Sequence, residues 1–203
     1  MSISAIEVYA VDVGSVAGDN FAWASTDAVG DDIDNLVGSI TRDLENGKAI
    51  ALGFECPLWL PISASPMSLT SARSGEHRSW SSGPGSCALT TGMVELVWIL
   101  RELRRGTGRE ASVFLDWKRF QSATGPRLLL WEAYVTGVSK GSSHADDARI
   151  AVQAFQAALP SPESILTPSD VVFSIVGAAL VHAGWSNDVG LLSKPCLVVK
   201  PAG

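Results

Sequence analysis

The feature that most limits what this chain can fold into is a change of hydrophobic period along it. A β-branched run, Ile6 to Val13, ends at Gly14-Ser15, and a second short run, Phe21 to Ser25, follows a Gly-Asp-Asn turn. The two read as a hairpin. The period then becomes helical: Ile33, Leu36, Val37, Ile40 and Leu44 share a face, Asp31 and Asp32 suit the positive helix end, and Gly47 can terminate it. The apolar run Ala49 to Phe54 follows as a short buried strand, halted by Pro57 and Pro61. An opening hairpin followed by alternating helices and strands specifies an α/β fold, a mixed central sheet flanked by helices.

Farther along, Met93, Leu96, Val97, Leu100 and Leu103 define a second amphipathic helix, and strands are expected at Ser112 to Leu115 and Leu128 to Val135. A third helix runs through Ile150, Ala151, Ala154, Phe155 and Ala158. A fourth, apolar on most faces, starts at Thr167-Pro168 with Asp170 in its cap. Residues 57–92 are rich in Ser, Gly and Pro, and from Ser63 to Gly92 they show no sustained periodicity. So long an irregular stretch reads as a functional loop or lid. The 203 residues fit one domain spanning the chain, and 46% apolar against 18% charged residues excludes a disordered one.

Other classes fall away. The longest apolar stretch, Val171 to Gly184, is shorter than the roughly 20 residues of a bilayer crossing, so no membrane partner is expected and His182 within it is read as a core residue. The N-terminal segment has no basic region and no cleavage-like motif, and reads as a strand rather than a signal peptide. Cys56, Cys87 and Cys196 form no C-x-x-C pair, which argues against a disulfide framework or zinc knuckle and for a reducing, cytoplasmic setting. Cys56 has no histidine nearby to make it a nucleophile. A net charge of −6 excludes a protein that coats nucleic acid, so any such contact must be local.

The acids are the candidate chemistry. Asp12 closes the first strand, Glu55 ends the third, Glu132 lies within Leu128 to Val135, and Asp146-Asp147 open the third helix. Carboxylates at the carboxyl ends of strands in an open α/β sheet can converge from distant segments. Asp147 shares the face of Ile150, Ala151, Ala154 and Ala158, whereas Asp146 is turned about 100° away by the helical repeat. An inward carboxylate must meet a cation or donors, and a divalent metal would serve. Each acid also has an ordinary role open to it: a turn for Asp12, ion pairing for Glu55 and Glu132, helix N-terminal charge for Asp146 and Asp147.

VDVGS, FECPLW, WEAYVTG and HADDARIAVQAF, in this order, resemble the "domain of unknown function 429" proteins, a family of predicted nucleases with a ribonuclease H-like fold. The resemblance implies that Asp12, Glu55 and Asp147 hold two magnesium or manganese ions, with Asp146 or Glu132 as a fourth carboxylate. This chain carries Glu55-Cys56-Pro57 where the family has an Asp-x-Pro type of motif. Two such ions about 4 Å apart would activate water and stabilise the leaving oxygen in phosphodiester cleavage.

Arg73, His77, Arg78 and Trp80 gather cations and an aromatic ring in the long loop, as a contact site for phosphate or nucleic acid would require, with Lys118, Arg119 and Lys140 as additions. The three histidines show no metal-ligand spacing. Two further readings stay open: an actin-like or sugar-kinase-like nucleotide-binding protein, for which VDVGS would be the phosphate hairpin, and a non-catalytic binding or structural module.

Overall fold

A computed structural model describes residues 6–76, 78–108, 110–168 and 171–201. The expected hairpin is β1 (Ile6–Asp12) and β2 (Ala22–Ser25), extended by a short β3 (Val29–Gly30). Helix α1 (Ile33–Glu45) starts where the Asp32 side chain accepts the Asn35 N–H, 2.8 Å, and leads into β4 (Ala49–Phe54). After β5 (Trp59–Ile62) come α2 (Gly83–Thr107), β6 (Ser112–Phe114), α3 (Trp117–Ser122), β7 (Arg127–Ala133), α4 (His144–Ala158), β8 (Val171–Ser174), α5 (Ile175–His182) and β9 (Leu197–Val199).

The main sheet runs β3-β2-β1-β4-β7-β6, with β9 also on β7. Strands β1, β4, β7, β6 and β9 pair in parallel, while β2 is antiparallel to β1 and β3. A mixed α/β sheet flanked by helices is therefore what the chain forms. The central parallel strands β1, β4 and β7 are buried on both faces. Val11, Leu52, Phe54 and Leu130 pack with Leu36 and Ile40 of α1 and Leu96 and Leu100 of α2. Val8, Ala51 and Trp131 pack with Ala151 and Phe155 of α4 and Phe120 of α3. On this second face the Trp131 and Phe155 ring centroids stand 4.6 Å apart, and Gly53 is small because an added Cβ would lie 2.4 Å from the Trp131 ring.

Several boundaries differ from the sequence reading. Helix α2 begins at Gly83, ten residues before Met93, so the irregular stretch is shorter than expected and contains a strand, β5, paired antiparallel with β8. Gly83, Gly85, Thr90, Thr91 and Gly92 are weak helix formers, but packing overrides propensity: a Cβ on Gly92 would lie 2.5 Å from Cys56 Sγ, so only glycine admits so close an approach. The fourth expected helix is preceded by β8, in which Val172 and Ser174 are buried and Val171 and Phe173 exposed, and it starts only at Ile175. His182 is exposed at the end of α5 rather than in the core. Helix α3 went unread although Asp116 caps it by accepting the Arg119 N–H. Asp170 lies outside the described residues. No helix among the described residues is long and apolar enough to cross a membrane.

Candidate metal centre

Period-two alternation sorts the expected acids onto two sides of the sheet. Asp12 follows Val8 and Ala10, and Glu55 continues the side of Ala49, Ala51 and Gly53, so both face α4. The Glu55 N–H donates to the Val11 carbonyl, 2.8 Å, which carries the β1–β4 ladder one residue past β4 and fixes where Glu55 leaves the sheet. Asp147 arrives from the first turn of α4, which the Ser143 side chain caps. One ligand atom from each of Asp12, Glu55 and Asp147 can be chosen so that all lie within 4.8 Å of one another.

Three carboxylates meet few cations here. Lys140 Nζ donates to Glu55 Oε1, 2.8 Å, and Asp147 Oδ2, 2.7 Å, and the Gly141 N–H donates to Asp147 Oδ1, 2.6 Å. His144 Nδ1 lies 2.6 Å from Asp12 Oδ2. Glu55 Oε2 is buried with no hydrogen-bond partner. Burial, with the Asp12 charge behind it, pushes the Glu55 carboxyl up to about 8, and burial likewise raises Asp12 against the opposing bond to His144. Burial alone would lower Lys140, but the Glu55 charge, the hydrogen bonds to Asp147 and Glu55 and the Asp12 charge outweigh it and hold the ammonium well above its ordinary range.

Of the other expected residues, Glu132 and Arg73 line the same cleft but stand outside the three-carboxylate cluster. Glu132 pairs in register with Phe54 and belongs to the opposite face, so it cannot join the cluster. Its carboxylate is engaged by Arg73 Nη1, 2.8 Å, Arg73 Nη2, 2.5 Å, and the Leu58 N–H, 2.9 Å. Arg73 also donates to Glu76 and to the Trp59 carbonyl and stacks over the Trp59 ring; its side chain is 1% exposed, so it is a strut under the loop rather than a group that greets substrate. Asp146 turns to Ser142 and Arg149, outside the cluster. Lys118 and Arg119 sit on α3 and do not line the cleft. His77 lies outside the described residues.

A cleft of about 910 Å³ opens over Asp12 and Glu55, walled by Trp80, Pro84, Ala88 and Tyr134, with Arg78, Lys140 and Lys200 supplying cations. Two participants escaped the sequence reading. His144 lies three residues before Asp147, a spacing that shares a helix face, but its partner Asp12 is 132 residues away. Glu95, on the buried stripe of α2 and beside the Gly14 amide, is raised to about 7, first by burial and then by the Asp12 charge, with the Gly14 amide opposing. A carboxylate spaced with Leu96, Ile99 and Leu103 was the available signal.

No family model, curated protein or solved structure matches this chain. The case for a function rests on the chemistry of the site.

Proposed function

We propose that this protein is a metal-dependent phosphodiesterase or nuclease of ribonuclease H-like type, related to the "domain of unknown function 429" proteins that its motifs resemble. The observation that carries the reading is the convergence of Asp12, Glu55 and Asp147 within 4.8 Å at the carboxyl ends of two parallel strands. The strand order, with an antiparallel β2 between β1 and β3, is compatible with a ribonuclease H-like sheet.

The residues fit a divalent ion. The buried, unpartnered Glu55 Oε2 is a ligand atom awaiting a cation, and an all-carboxylate set suits hard ions such as magnesium or manganese. When bound, such an ion would lower the pKa of water and neutralise charge developing on a phosphoryl group. Asp12, Glu55 and Asp147 would hold it. His144 orients the Asp12 carboxylate, and Arg78 and Lys200 offer cations to a substrate phosphate in the cleft.

The Glu95 carboxyl beside the Gly14 amide crowds the hairpin that the actin-like alternative would need for phosphate. The non-catalytic alternative has one observation in its favour, Lys140 bridging Glu55 and Asp147 as an internal cation. Cleavage assays separate the readings. With manganese, wild-type protein should cut single- or double-stranded DNA or RNA, or a small phosphodiester, and Asp12→Asn should reduce the rate by at least about 100-fold. Inactivity on all of them would leave the non-catalytic module.

A further inference from the structure

We propose that Lys140 is a displaceable stand-in for the metal: its ammonium and a divalent cation compete for Glu55 and Asp147, and metal entry frees it into the substrate cleft. This rests on the metal-centre reading above.

The geometry supplies both states. Lys140 Nζ binds Glu55 Oε1 and Asp147 Oδ2, two of the three residues in the cluster, at 2.8 and 2.7 Å. A cation taking both carboxylates cannot share them with an ammonium in contact with the same groups, because like charges this close repel strongly. Lys140 is also built to leave. Its side chain is 46% exposed, whereas those of Glu55 and Asp147 are 12% and 7% exposed. It sits between Gly137, at φ 60°, and Gly141, on a segment that lies outside the main sheet and α4. The Gly141 N–H holds the other Asp147 oxygen, so the carboxylate stays aimed inward when the lysine departs. Lys140 lines the same cleft as Arg78 and Lys200, so the freed ammonium adds a third cation where an anionic phosphoester would approach. The ammonium serves only two of the three crowded residues and leaves Glu55 Oε2 without a partner, whereas a divalent ion could engage all three.

The test is manganese titration by calorimetry into wild-type protein, Lys140→Gln and Lys140→Arg, each checked for folding by thermal melting. Competition predicts that Lys140→Gln binds manganese about tenfold or more tighter than wild type, while Lys140→Arg, which keeps the charge, stays weak. A purely structural lysine would give the opposite, since its loss would loosen the carboxylates. Labelling with an amine-reactive ester, read by mass spectrometry, supplies a second readout. Lys140 should react faster when manganese saturates the wild-type protein, while Lys48, paired with Asp43 away from the site, should not change. Equal manganese affinity in wild type and Lys140→Gln, or unchanged Lys140 labelling, overturns the competition and leaves the metal centre standing. Absence of manganese binding in all three proteins overturns the metal centre and the competition together.

Discussion

Two buried acidic clusters flank the same strands, and they are neutralised very differently. On one side of the sheet Glu132 and Glu76 share Arg73, whose planar fork donates to both, while the Leu58 N–H takes a remaining lone pair. On the other side Asp12, Glu55 and Asp147 share one half-exposed lysine and one histidine, and a buried Glu55 oxygen has no partner. The first is matched in hydrogen bonds, each of its four carboxylate oxygens having a donor, which is what a structural element requires. The second leaves a buried carboxylate oxygen without a donor, which is what the proposed cation site would require.

The largest effect should come from breaking the matched cluster. Arg73→Met leaves two buried carboxylates unpaired and should lower stability by about 3–5 kcal/mol in denaturant unfolding. Glu132→Gln is milder, about 1–3 kcal/mol, because a side-chain amide cannot accept from Arg73 and Leu58 as a carboxylate does. Glu95 sharpens the contrast through pH. Its folded pKa is raised to about 7 from an ordinary 4.5, so the folded state holds a proton that the unfolded state releases, and stability falls as pH rises from about 4.5 to about 7. Glu95→Gln should therefore raise Tm by a few degrees at pH 8, on the order of 1 kcal/mol, and change little at pH 4.5. The smallest stability effect belongs to the unmatched cluster. Near pH 4.5, where the raised Glu55 carboxyl keeps its proton in the folded state, Glu55→Gln should shift unfolding by less than about 1 kcal/mol, while at pH 8 it should weaken manganese binding by more than about tenfold.

The same contrast explains what was legible in the sequence. The hairpin, α1, β4 and α4 follow from local period, and with them the inward direction of Asp147, because a helix with one apolar stripe declares its buried face. Glu132 was misplaced for a physical reason: β7 is buried on both sides, so Leu128, Leu130 and Glu132 alternate with Leu129, Trp131 and Ala133 without marking which face is which. Whether an acid on such a strand joins Asp12 or opposes it depends on register with β4, a tertiary fact. The Arg73–Glu132 pair spans 59 residues and the His144–Asp12 contact 132, beyond the reach of any periodicity. The start of α2 was hidden by glycines that packing requires and propensity disfavours.

The most direct measurement is calorimetric titration of manganese into wild-type protein and an Asp12→Asn, Asp147→Asn double variant that melts as wild type does. A functional metal centre predicts saturable binding in the wild type, reduced at least about 100-fold in the variant. No binding by either protein, or equal binding by both, would contradict it.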